Sequence, residues 1–419
     1  MSRAARPMSL RFRNRLVMAL TLLIGAACQS SADLTATPPS QSTGIHPEPG
    51  TPTPLPEPNE PTSTAVPLPP GPTPTQEPRL RQVRVLQTEA AIHCLDWSLD
   101  GARLAAGHSN DSVVVWDAAT GERILDLQHD SWPESCEWSP LGDRIAVGTI
   151  GKVYIWDATT GELERTLVGH FGWINRLAWS PDGSMVAALG SVDKSARTWD
   201  VERGEPLHAL PSADGTYDLD WSPDGTAVAT ATGGGVKIWE VSSGELISTL
   251  KTTGGARTVR WSPDGLALLA STWSGIGAWE IIEGRSLGPY LPEGRPPSAA
   301  LWSPDGNMVA AGDVEGPLRI WDAQSGDLVL SSSGSWGRPW RWIDGLAWSP
   351  DSTLLAGIGG GYYDDANFGR IFLWRLDERN DSFILETYIG VVLELAWSPD
   401  GNTLASGAAD GRVILWGSP

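Results

Sequence analysis

At 419 residues and 41% apolar side chains, the chain has room for one large repeat domain or two to three ordinary ones, with a substantial core. Its formal charge of -20, from 50 acidic against 30 basic residues, repels phosphate backbones and argues against nucleic acid as a partner. The 22 Trp against 5 Phe and 6 Tyr form a ratio that only a repeat accounts for.

Arg3, Arg6, Arg11, Arg13 and Arg15 precede an apolar run from Leu16 to Ala27, and Gly25, Ala26 and Ala27 lead into Cys28. A basic region, a short apolar region and a small-residue exit predict a secretory signal over 1–27. The apolar run falls short of the roughly 20 residues that cross a bilayer about 30 Å thick. The exit resembles the lipobox of bacterial lipoproteins, with Gly25 where Leu is preferred. That resemblance implies lipidation of Cys28 and a chain exported to the outer side of a bacterial membrane. Ordinary cleavage to a secreted protein is the alternative.

Residues 28–80 read as a linker. Between 29 and 79 fall 15 of the 33 prolines, mixed with Ser, Thr, Glu and Gly and without an aromatic residue. Such a segment cannot bury a core. At about 3.1 Å per residue in polyproline II, it holds the C-terminal domain very roughly 150 Å from the anchor.

The segment 81–419 is repetitive. Leu177 to Gly183, Leu-Ala-Trp-Ser-Pro-Asp-Gly, returns in recognisable copies headed by Trp97, Trp138, Trp179, Trp221, Trp261, Trp302, Trp348 and Trp397. A period near forty residues marks a repeat architecture. Leu177 and Trp179, and after the turn Met185, Ala187 and Leu189, alternate with small or polar neighbours, which predicts half-buried strands. Ser180, Pro181, Asp182 and Gly183 supply a tight reversal between them. A third strand ends in a second series, Trp116, Trp156, Trp199, Trp239, Trp279, Trp321, Trp374 and Trp416, and a turn with glycine leads into a fourth.

These residues resemble tryptophan-aspartate (WD) repeat propellers over roughly 82–417. The resemblance implies an all-β fold, an eight-bladed β-propeller of four-stranded antiparallel blades, with seven blades as the alternative. The chain ends after the third strand of the last unit, and Val83 to Gln87 is a spare strand. The family's closure has such an N-terminal strand complete the last blade and remove its open edge. Gly169, His170, Asp193 and Trp199, with Ser191, resemble the family's hydrogen-bonded set. Most other units lack the His, so tryptophan burial carries more of the stability.

Strand polarity puts the second-to-third and fourth-to-first loops on one face and the Ser-Pro-Asp-Gly turns on the other. The six tryptophans outside the repeat, Trp132, Trp173, Trp273, Trp336, Trp340 and Trp342, all belong to the first face. Four residues before each first-strand Trp stand His93, Glu134, Asn175, Tyr217, Arg257, Ser298, Asp344 and Leu393, a position that varies while the core repeats. Longer loops around the seventh unit bring Trp336, Arg338, Trp340 and Trp342, then Tyr362, Tyr363 and Phe368. Exposed Trp, Tyr and Arg are the composition of interface hot spots. Trp132, Trp173, Trp336, Arg338, Trp340, Trp342, Asp344, Tyr362, Tyr363 and Phe368 are therefore the expected partner-binding set.

The sequence has no metal-ligand spacing, nucleophile elbow, phosphate loop or CxxC, so no cofactor, metal or catalytic residue is expected. Cys94 and Cys136 stand three and two positions before their strand tryptophans, hence on opposite sheet faces, which argues against a disulfide. The reading is a monomeric, membrane-tethered, extracytoplasmic scaffold for a protein or peptide partner. A glycan-binding propeller is the first alternative. An eight-bladed quinoprotein dehydrogenase is the second, disfavoured because Leu125 or Leu127 stands where those enzymes place a docking Trp.

Overall fold

The computed structural model describes residues 80–281, 285–289, 297–313, 318–332, 343–359, 370–376, 382–385 and 391–417, all in one compact unit. Among them there is no helix; every regular element is a strand. β1 is Arg81–Gln87, and β2 (Ile92–Trp97), β3 (Arg103–His108), β4 (Ser112–Asp117) and β5 (Arg123–Gln128) form a four-stranded antiparallel sheet in sequential order.

The next two units share one seven-stranded sheet. It is built from β6 (Ser135–Trp138), β7 (Arg144–Gly148), β8 (Ile150–Asp157), β9 (Leu163–Trp179), β10 (Met185–Gly190), β11 (Ser195–Asp200) and β12 (Glu205–Pro211). β9 runs 17 residues, so the last strand of one unit passes straight into the first of the next. Gly169 and Gly172, at φ 142° and 81°, carry the chain through that passage. Four more four-stranded sheets occupy 216–250, 256–289, 297–331 and 343–385. In the last sheet, β1 pairs antiparallel with Arg412–Gly417, next to Thr403–Ala408 and Val392–Trp397.

The Ser-Pro-Asp-Gly turn works as its residues dictate. Gly183 takes φ 76° and donates its N–H to the Ser180 carbonyl at 2.9 Å. The Ser180 hydroxyl donates to Asp182 at 2.7 Å and accepts the Met185 N–H at 2.9 Å. That Ser180 hydrogen bond, aided by the Ser184 N–H, holds the Asp182 carboxyl below the usual carboxylate range.

Each buried cluster draws on two consecutive units. Cys94, Val113, Val115 and Leu127 meet Cys136, Trp138, Ile145 and Val147, while Ala146, Val153, Ile155 and Leu167 meet Leu177, Trp179, Val186 and Trp199. The series ends with Leu86, Ala396, Ala405, Val413 and Leu415 against Leu95, Trp97, Leu104 and Trp116.

The first-strand tryptophans tie the seams as well as fill them. Trp138, Trp179 and Trp221 donate their indole N–H to the carbonyls of Asp96, Glu137 and Ala178, each the residue just before the preceding unit's tryptophan. Trp97 does the same to Ala396.

Two expectations are corrected. Cys94 and Cys136 form a disulfide, fully buried, with Cα atoms 5.8 Å apart. Opposite faces are what the bond requires, because consecutive sheets meet through unlike faces. Ser191 is not part of a set with Trp199: its hydroxyl accepts the Trp173 N–H at 2.9 Å. Trp199 instead donates to the Val168 carbonyl at 3.4 Å, while His170 holds Asp193 at 2.6 Å. In two other units the third-strand Trp bonds a hydroxyl two residues beyond its ladder partner, Trp239 to Thr230 and Trp416 to Ser406, both at 2.9 Å. Ala188 occupies that place here.

Candidate functional site

The varying position is a β-bulge. In β2 the ladder steps from Ile92 to Cys94, and the same skip passes over Asn175, Tyr217, Arg257, Ser298, Asp344 and Leu393. A bulged residue has no ladder partner and turns its side chain out of the strand's alternation. This is why the position escapes the packing constraint that fixes its neighbours. Sequence variety marked the position, but an alternation pattern carries no sign of the bulge.

Three consecutive units bring rings together at this end of their first strands. Trp132, just ahead of β6, stacks on Trp173 with centroids 4.9 Å apart and planes 8° from parallel. On Trp132 also stacks His93, 6.2 Å away at 24°. The three form a row with Trp132 in the middle. His93 Nε2 is 2.7 Å from the Ser109 hydroxyl, and Trp132 donates its indole N–H to Glu134 at 3.3 Å. Trp173 lies within β9, paired with Ile150, rather than in a loop. Both tryptophans are half-buried. Around them stand Phe171, 69% exposed and two residues from Trp173, and Val192, 64% exposed against Gly172. Neither Phe171 nor Val192 stood out in the sequence; a large apolar residue beside a turn glycine was the available signal.

Of the expected set, Trp132 and Trp173 are thus brought together. Asp344 is placed only by its backbone, as the bulge of Ile343–Trp348. Trp336, Arg338, Trp340, Trp342, Tyr362, Tyr363 and Phe368, and the expected lipidation residue Cys28, lie outside the described residues.

Below the rim, buried charges cross the seams. Asp218 meets Arg176 of the preceding unit at 3.4 Å and Arg260 of the following one. Asp220 accepts the backbone N–H of Trp261 at 2.8 Å, and burial pushes its carboxyl up to about 6 despite Arg260 nearby. These pairs lock three units together, since removing one partner would strand a buried charge. Charges one and three residues before a strand Trp were their signal in the sequence.

Residues 80–117, 161–200, 204–240 and 384–417 match the WD40 family, described as WD domain, G-beta repeat. The chain is 26% identical over 340 residues to Protein FIZZY-RELATED 2 of Arabidopsis thaliana, covering 79% of this chain and 59% of that protein. It is 25% identical, again over 340 residues, to the B-type cell cycle switch protein ccs52A of Medicago truncatula, covering 79% of this chain and 60% of that one. A shorter match, 27% over 154 residues, is to the guanine nucleotide-binding protein subunit beta of Lymnaea stagnalis, covering 35% of this chain and 45% of the relative. The chain thus spans about three-fifths of the length of the first two relatives. The four stretches that resemble WD40 repeats fall on the repeated antiparallel sheets.

Proposed function

We propose that the chain is a non-catalytic scaffold: an eight-bladed WD propeller, tethered through Cys28 outside the cytoplasm, that binds a protein or peptide partner on the face bearing Trp132 and Trp173. The observation that carries the binding reading is the His93, Trp132, Trp173 row beside exposed Phe171 and Val192. Rigid aromatic rings flanked by apolar side chains give large contact area at little entropic cost. A sugar would need an open ring face, and Trp132 has His93 and Trp173 on its own, which favours protein over glycan.

Closure into eight blades is supported by the pairing of β1 with Arg412–Gly417 and by the Trp97 to Ala396 bond, which repeats the internal seams. Export is supported by the Cys94–Cys136 disulfide, since such bonds persist in oxidising compartments. One relative is by name a subunit, in keeping with an assembly role.

The test is crosslinking and affinity capture from the native membrane with the full chain, comparing wild type with Trp132→Ala/Trp173→Ala. The captured partner should be lost from the variant while its melting stays close to wild type. Capture that survives the double substitution would refute the site. Fatty-acid analogue labelling that persists in Cys28→Ser would refute the tether.

A further inference from the structure

Arg257 differs from every other buried or half-buried arginine of the first strands. Its guanidinium lies 4.7 Å over the ring of Trp273, a residue 56% exposed in the turn between Ala267–Thr272 and Gly275–Glu280. Arg176 and Arg260 share Asp218, whereas Arg257 meets no carboxylate among the described residues, and burial alone pulls its pKa below the ordinary value.

The surroundings are arranged as a receptor. Arg257 is the bulge residue of Ala256–Trp261, released from the ladder at the same place as His93. The loop ahead of it packs on Trp273: a Cβ on Gly254 would sit 3.4 Å from the Trp273 Cβ, and Ser274 donates to the Thr253 carbonyl at 2.8 Å. In that loop the buried Thr252 hydroxyl has no hydrogen-bond partner among the described residues.

We infer that Arg257 and Trp273 receive a single carboxylate of a peptide partner, an Asp or Glu side chain or a C-terminus. Held over the indole, the guanidinium can offer its N–H fork to a bidentate carboxylate, while the exposed indole covers the adjoining methylenes. One guanidinium on a protein of charge -20 suits a lone negative charge; a polyanion would meet the repulsion of the whole field. This deepens the partner-binding reading of the same face and rests on it.

The experiment is fluorescence anisotropy of the full chain with labelled, C-terminally amidated hexapeptides that carry one Asp or Glu, against counterparts in which Asn or Gln replaces it. Acidic peptides should bind at least about tenfold tighter, a preference that Arg257→Gln abolishes and Arg257→Lys weakens. Melting of Arg257→Gln should match wild type, because no acid among the described residues is left unpaired. Equal binding of the two peptide sets, or a preference that survives Arg257→Gln, would overturn the inference. So would displacement by inorganic phosphate at concentrations where acetate has no effect, which would mark a phosphate site. Trp132→Ala/Trp173→Ala separates the two readings. An acid preference that survives it while native capture is unaffected removes the aromatic row alone. A preference that survives Arg257→Gln while the double variant loses capture removes only the carboxylate receptor.

Discussion

Trp97 donates its indole N–H to the carbonyl of Ala396 at 3.0 Å, across 299 positions of sequence. The geometry is that of Trp221 to Ala178, also 3.0 Å, 43 positions apart. The hydrogen bond between the first and last units therefore has the geometry of an interior one.

If so, the two kinds of seam should cost the same to damage. Trp97→Phe and Trp179→Phe are each expected to lose about 1 to 3 kcal/mol in urea unfolding, from volume and the lost hydrogen bond. A much smaller loss for Trp97→Phe would mean that the ends are not joined.

β1 should matter more than a terminal segment ordinarily does. Leu86 is buried among Ala396, Val413, Leu415 and Trp97, and Arg84 reaches the carbonyls of Ala119 and Thr120 at 2.5 and 2.6 Å. Leu86→Ala should cost about 2 to 4 kcal/mol, and deletion of 80–89 should lower the melting temperature of the whole molecule. Unchanged melting of the deletion would exclude the role.

The Cys94–Cys136 bond spans 42 positions, and its removal should cost about 2 to 4 kcal/mol. Dithiothreitol should lower the melting temperature of the wild type and leave Cys94→Ser/Cys136→Ser untouched. No response of the wild type to the reductant would argue against the bond.

Acid should destabilise the fold through His129. Its Nε2 accepts the Trp156 indole N–H at 3.1 Å, so the ring is neutral, and burial pushes its pKa down to about 4. Unfolding restores a value near 6.5, so the unfolded chain takes up the proton first. The stabilisation is complete above about 6.5 and is lost as pH falls toward 4, about 2 kcal/mol for a partly exposed ring. Burial lowers His108 and His170 in the same direction. Asp220 opposes them: its raised pKa contributes stability at low pH that is lost as pH rises through about 6. His129→Gln should flatten the decline between pH 7 and 4 and Asp220→Asn should steepen it. Slopes identical to wild type would discount both groups.

The tryptophan spacing and the Ser-Pro-Asp-Gly turns made the strands legible, because burial and turn geometry demand the same residues in every copy. The disulfide was misread because face parity within one strand says nothing about which faces of two sheets meet. Ser191 was misassigned for a related reason: the hydroxyl that serves Trp239 or Trp416 is fixed by cross-strand register, which only pairing reveals. Trp132 and Trp173 were visible as departures from the repeat. The stacking of Arg257 on Trp273 joins two strands of a sheet through a bulge and a turn, and no local pattern encodes that.

β9 has one more effect. At 129–134, 212–215 and 251–255 a loop separates the outer strand of one unit from the inner strand of the next, but here a single strand runs from Leu163 past Trp173 to Trp179. A load applied at Trp173 passes along that ribbon into two units at once, and to part it ladders on both sides must shear together. Beside the stacked rings, two units are thus joined by strand rather than by a loop.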